Sequence, residues 1–311
     1  MRDTYGVEPV CREIGVPVSN YYRRKWRERE PSARMRADVV LVAQIITART
    51  GYRRVYGQKR TWCELVDRGV EVGRDRVGRL MRAHGMTGVV RGRRHVTTIR
   101  DDRAERAPDL LGRNFRATAP NRLWVADFTY LKTVLGFVYL AFILDAYSRM
   151  IVGWQLASHR RTELVTDALE MAIALRDPRP GLISHTDAGS QYCSCSYTER
   201  VLEAGMTPSV GSVGDALDNA MAESFVATIK AELIQRRILA SLAAAEYEIT
   251  SWIGFYNHER LHEALGYRSP ADFENPDAPT RRRRAFGDHR AIQPAFSGSA
   301  GRPGEDQVES T

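Results

Sequence analysis

The sequence predicts an α/β protein, a mixed five-stranded sheet with helices packed on it, preceded by a small all-α, helix-turn-helix-like region. Three observations lead there. Three runs rich in apolar, β-branched and aromatic residues, RLWVADFTYLKT, GFVYLAFILDAYS and MIVGWQLAS, succeed one another between residues 122 and 158. Short turns at 134–136 and 145–149 separate them, the pattern of an antiparallel meander. Beyond residue 160, helical periodicities alternate with two more short apolar runs, which adds helices and two strands to the meander. Residues 1–120 contain only helix-like segments and most of the positive charge: 27 Lys+Arg against 14 Asp+Glu, compared with 19 against 24 in the remainder.

The elements follow in order. Residues 5–26 read as a short helix, a turn at Gly15-Val16-Pro17, and a second short helix carrying aromatic and basic side chains. Residues 33–48 form a longer helix, with Val39, Val42, Ala43 and Ile46 expected on its buried stripe. Helix-like sequence runs to Arg68, a turn sits at Gly69, and VGRDRVGRLMRAHG follows. There Val77, Leu80 and Met81 turn inward while Arg74, Arg76, Arg79 and Arg82 point outward. A small helical unit ending in an arginine-studded helix can enter a DNA groove; a solvated basic face has the same pattern. The polar stretch 91–120, closed by Pro120, has linker chemistry. The sheet domain occupies 121–275, with a helix at 162–175 buried through Leu164, Val165, Ala168, Leu169 and Ile173. The strand GLISHTD follows, then a helix near 197–204, a strand near 207–210 and helices at 216–235 and 241–261. The last is expected to bury Leu242, Ile249, Trp252, Ile253 and Tyr256. The tail 276–311, with its Arg281–Arg284 run and Gly/Ser/Glu-rich end, reads as disordered.

Composition excludes several classes. No apolar run approaches the roughly 20 residues of a membrane span, and MRDTYGVEPV lacks the core of a secretory signal. The four cysteines (Cys11, Cys63, Cys193, Cys195) have no CxxC spacing. A disulfide framework is therefore not expected, and a reduced cytoplasmic setting is. Cys193 and Cys195 near His185 suggest zinc, but a Cys-x-Cys step suits a closed tetrahedral site poorly.

Three carboxylates stand out by position. Asp127 interrupts the apolar pattern of its strand, between Trp124-Val125-Ala126 and Phe128-Thr129. Asp187 ends the strand LISHT and opens a turn of small residues, at the carboxyl end of a strand, where sites are commonly assembled. Glu223 lies on a helix whose 100° step puts Met221, Phe225, Ile229 and Leu233 on one stripe. Asn219, Glu223, Ala227 and Lys230 fall on the other side. Each acid alone is an ordinary surface group. If they converge, they repel one another unless a cation sits between them, and hard oxygen donors favour Mg²⁺ or Mn²⁺. Two such ions about 4 Å apart suit displacement at a phosphodiester.

WVADFT, HTDAGSQY and DNAMAESF, with 35 residues between Asp187 and Glu223, resemble the successive motifs of the second open reading frame of IS3-family insertion-sequence transposases. That group is related to the retroviral integrases. The ending YNHERLHEALGYRSPADF is similar to the family's closing motif, and the resemblance extends to about residue 275. One departure is Leu217, where relatives often carry Trp. The resemblance implies an RNase H-like catalytic domain in which Asp127 bridges two Mg²⁺ or Mn²⁺ ions, with Asp187 and Glu223 each completing one. It implies cleavage at the element's ends and attack of the freed 3′-hydroxyl on target DNA, without a covalent protein–DNA intermediate, through a circular DNA form. A basic residue seven positions past the glutamate is also typical of the family, and Lys230 fills it, as a phosphate contact or as a surface lysine; His185, Gln191 and Asn219 flank the acids, either supporting them or in ordinary structural roles. The implied partners are inverted-repeat ends, target DNA, further copies of the chain on DNA, and an upstream-frame protein or a frameshift fusion with it. An RNase H-like nuclease that cleaves without joining, and a catalytically silent DNA-binding regulator, are the alternatives.

Overall fold

The computed structural model describes residues 6–90, 107–112, 114–134, 136–187, 192, 194–211 and 220–277. The amino-terminal part contains α1 (Val7–Glu13), α2 (Val18–Arg29), α3 (Ala33–Ala48), a 3₁₀ turn (Gly51–Val55), α4 (Gln58–Asp67) and α5 (Arg74–Ala83). Val77, Leu80 and Met81 are buried as expected, against Leu65 of α4 and the buried face of α3. That face differs from expectation. Leu41, Ile45 and Ala48 are buried, Val42 packs at the margin, and Ala43 is exposed. Val39 and Ile46 are exposed as well. α3 is apolar around much of its circumference, so its own periodicity offers two stripes; contact with Leu65 and Leu80 selects one of them.

The second part is a single sheet of β1 (Leu123–Thr133), β2 (Gly136–Asp145), β3 (Ile151–Ala157), β4 (Ile183–Thr186) and β5 (Thr207–Val210), in the order β3-β2-β1-β4-β5. β1, β2 and β3 form the expected antiparallel meander, and β4 and β5 add in parallel. Two layers of helix cover it. On one face lie α6 (Thr162–Arg176) and α7 (Cys195–Glu203); on the other lie α8 (Ala220–Glu232) and α9 (Leu242–His258), followed by the short α10 (Pro270–Glu274). This is the mixed, helix-flanked sheet expected of an RNase H-like domain. α6 approaches β3 closely enough that a Cβ on Gly153 would lie 2.2 Å from the Ala168 carbonyl oxygen, so only glycine fits there. Leu242, expected in the core, is exposed: it is the first residue of α9, and burial on that helix begins one turn later, at Ala245.

The two parts share a core. Val55 and Tyr56, from the 3₁₀ turn and its end, are buried in the same cluster as Phe142, Phe225 and Trp252. The Tyr56 hydroxyl accepts the Leu261 N–H at 3.0 Å, Tyr52 bonds Glu248 at 3.2 Å, and Arg53 pairs with Glu259. Helix periodicity did not single these residues out, because a one-turn 3₁₀ segment has no repeating face. The linker expectation also needs revision where it can be followed. Residues 91–106 lie outside the described residues. Downstream, Leu111, Phe115 and Ala117 pack on the sheet domain, and the Leu110 N–H donates to the Ser209 hydroxyl at 3.0 Å. Residues 278–311 also lie outside the described residues, so the expected tail is not described. No described helix is long and apolar enough to cross a membrane.

Candidate active site

β1 is the central strand, so an acid within it is flanked by backbone on both sides. Asp127 pairs across to Phe142 on β2. On the other side the parallel register runs Val125↔His185 and Ala126↔Thr186. One further step brings Asp127 and Asp187 abreast, where β4 ends and adjacent strands are about 4.8 Å apart. α8 crosses the same face. Its Phe225 ring packs 4.4 Å from that of Phe142, the cross-strand partner of Asp127. Ala222, Phe225 and Ile229 are buried, while Glu223 and Lys230 are only partly so. Glu223 and Lys230, partly buried beside that stripe, are near enough to Asp127 to shift its carboxyl.

The electrostatics agree with that placement. Burial lifts the Asp127 carboxyl well above the usual carboxylate range, and the Asp187 charge lifts it further. The Phe128 N–H, which donates to Asp127 Oδ1 at 2.7 Å, pulls the other way; Glu223 raises it and Lys230 lowers it. Lys230 is pushed down by burial and held up by Asp127, and its Nζ lies 4.6 Å from the centre of the Tyr130 ring. Two acids and one lysine, from the end of β4 and from α8, thus act on the one carboxyl group of β1. Among the described residues, however, no three His, Cys, Asp or Glu side chains converge tightly enough to hold a metal ion. The donors are hard oxygens suited to a divalent cation, but they would have to draw closer around it. Mutual repulsion opposes that closure until positive charge is present.

The remaining expected residues separate into groups. His185 is buried, with Nδ1 3.0 Å from the Ser209 hydroxyl and its ring edge-on to Phe115. It ties β4 to β5 and to the segment before β1. Gln191 and Asn219 lie outside the described residues, as does Cys193. The four arginines sit on α5 as expected, but two of them are engaged: Arg76 and Arg79 both bond Asp38 of α3, at 2.9 and 2.7 Å. Arg74 lies 3.6 Å from the exposed Asp75, and Arg82 is exposed. Two residues at the site were not anticipated. Tyr130 supplies the ring under Lys230. Tyr192 is buried behind the acids; burial pushes its phenol well up and the Asp127 charge adds to that. Tyr192 closes the quoted HTDAGSQY motif, so its signal was present but unread.

Comparison with known proteins gives this geometry a family. Residues 117–216 and 204–270 match models described as integrase core domain, and 36–94 one described as HTH-like domain. The transposase for insertion sequence element IS629 of Shigella sonnei is 43% identical over 88% of this chain and 93% of that protein. The chain belongs to the insertion-sequence transposases. The putative transposase for IS986/IS6110 of Mycobacterium tuberculosis is 42% identical over 88% of this transposase and 99% of its own length. Both agree with the IS3-family resemblance. Among solved structures, a simian T-cell lymphotropic virus intasome bound to a PP2A regulatory subunit aligns with a TM-score of 0.46 at 12% identity, over 82% of this transposase and 77% of that chain. The HTH-like match spans α3 to α5, so the arginines of α5 lie within it.

Proposed function

We propose that this transposase cleaves DNA at insertion-sequence ends and joins the freed 3′-hydroxyl to target DNA, using Asp127, Asp187 and Glu223 as its catalytic and metal-binding acids. The observation that supports this most directly is the state of Asp127: an acid inside a central strand, burdened by burial and by two carboxylates from distant parts of the chain. Retaining that charge arrangement is costly for folding, and a cation is what relieves it. Mg²⁺ or Mn²⁺, as a pair, would supply Lewis acidity to the attacked phosphodiester and to the attacking hydroxyl. Asp127 would help hold both ions, and Asp187 and Glu223 would each help hold one. Lys230, braced by Tyr130, contacts a phosphate at the DNA end, and the exposed arginines of α5 hold the duplex by its backbone. Joining is an in-line exchange: the 3′-oxygen bonds to phosphorus as the target's bridging P–O bond breaks, and the leaving oxygen takes the proton. No side-chain nucleophile is required. The working form is a homo-oligomer on DNA, with an upstream-frame segment as a further partner.

The test uses labelled inverted-repeat-end duplexes with Mg²⁺ or Mn²⁺, scoring cleavage and joining separately. Glu223→Gln is expected to bring both to background while duplex affinity stays within about twofold. Cleavage without joining by the unsubstituted protein identifies a nuclease, binding alone a regulator, and a fully active Glu223→Gln variant removes that residue from the chemistry.

A further inference from the structure

α8 has a third flank. Ser224 and Thr228 lie about 100–140° around the helix from Glu223, and they line a cavity of about 20 Å³ together with Arg149, Tyr256, Arg260 and His262. That is room for one or two water-sized oxygens.

Its charge is unusual. Arg260 is buried and gives two bonds to Glu232, at 2.8 and 2.7 Å. Arg60 reaches the same carboxylate at 3.4 Å. Glu232 thus bonds two arginines. Arg149 adds a third positive charge and makes no ion pair with any described residue, although it is partly buried. His262 contributes no charge: burial first, then Arg260, Arg60 and Arg149, push it down to about 2. Arg149 also sits at φ 63°, in the left-handed region, where glycine or asparagine would be relaxed. A left-handed non-glycine residue at a polar cavity, with no ion-pair partner for its guanidinium among the described residues, is the kind of outlier from which a binding role can be inferred.

We propose that this cavity is a phosphate socket, in which the Arg149 guanidinium, beside the Ser224 flank of α8, receives one oxygen of a DNA backbone phosphate; the Thr228 hydroxyl, which donates to the Ser224 carbonyl at 2.8 Å, only lines it. The space is too small for a whole phosphate, so the anion caps the mouth and inserts an oxygen. A polyanion held elsewhere by the same protein meets that requirement better than a free ion does. The socket shares α8 with Glu223, so an occupied socket fixes the helix on which the third acid is mounted. The proposal rests on the DNA-joining reading above.

Affinity for a labelled element-end duplex is measured without divalent cation between about 50 and 200 mM salt. One lost phosphate contact flattens the slope of log K against log salt by about 0.9. Arg149→Gln is expected to produce that change, and Arg149→Lys to restore the slope. Should Arg149→Gln unfold, Ser224→Asp, which places a negative charge at the cavity, is expected to flatten the slope equally. An unchanged slope in a folded variant overturns the socket. So does an Arg149-dependent thermal shift with inorganic phosphate when the DNA slope is unchanged, since the site then takes a free anion only. Because the assay needs no catalysis, it is independent of whether Glu223→Gln abolishes joining.

Discussion

Asp38 and Asp127 are the same chemical group in opposite circumstances. Asp38, on α3 of the HTH-like part, receives Arg79 and Arg76, and their hydrogen bonds hold its carboxyl below the usual range. Asp127, on β1 of the sheet, meets burial and two further acids, which drive its carboxyl upward. Asp38 comes with its counter-charges and pins two helices together. Asp127 comes without enough of them, although Lys230 stands nearby. Elsewhere the fold answers a buried acid, as Arg176 does for Glu274 at 2.8 Å; the deficit at Asp127 is what the proposed cation would relieve.

The contrast is tested most strongly by Asp127→Asn. Strand cleavage and joining are expected to fall to background while the protein becomes more stable. Each unit of upward pKa shift costs about 1.4 kcal/mol at pH values where the group is charged. The pH dependence has a defined sign. A carboxyl raised in the folded state stabilises it below the unfolded pKa, and that contribution disappears as pH rises through the folded value. Without divalent cation, the melting temperature of the unsubstituted protein should therefore decline over that interval, and Asp127→Asn should flatten the decline. Mg²⁺ at a hundred times its Kd should restore about 2.7 kcal/mol to the unsubstituted protein but not to the variant. Equal responses of the two proteins to Mg²⁺ would make Asp127 a structural acid like Asp38.

The shared core sets the next effect. Tyr56→Phe keeps the ring but removes the acceptor for the buried Leu261 N–H, at a cost of about 1–3 kcal/mol. Chemical denaturation should show that loss within a single transition, because the 3₁₀ turn and the sheet domain melt together. A separate early transition for the HTH-like part would mean that it folds independently, and the comparison would then be between two domains.

These two aspartates also show what the sequence could reveal. Asp127 was legible because it broke a pattern that its neighbours kept, and its partners because spacing and motif order repeat a family arrangement. The meander and its turns were legible because three apolar, β-branched and aromatic runs are set apart by short turns. The role of Asp38 was not legible, since it depends on the arginines of α5, and those look outward along their own helix. Val39 was placed inside and Leu41 was not, because an apolar helix gives its face only to whatever packs against it. Asn257 sits in the closing motif, but nothing local indicated that its amide would exchange two 2.9 Å bonds with the Ile151 backbone and so extend β3. The proposed Arg149 socket draws on the turn after β2, on α8, on α9 and on the segment beyond α9, and has no contiguous signature.

The smallest effect belongs to Asp38→Asn. It releases Arg76 and Arg79 from their shared carboxylate and loosens the contact between α3 and α5. A carboxyl lowered in the folded state contributes stability above its unfolded pKa and loses it as pH falls through the folded value. The variant's modest loss of melting temperature should therefore vanish in acid. Its effect on DNA is the more informative. Two freed guanidiniums on the arginine face of α5 raise the local positive charge, so duplex affinity at low salt should rise and its salt dependence steepen. If affinity and slope stay fixed while the acid-sensitive stability loss appears, the arginines of α5 serve the fold, and DNA is held by the sheet domain and by a different part of the HTH-like region.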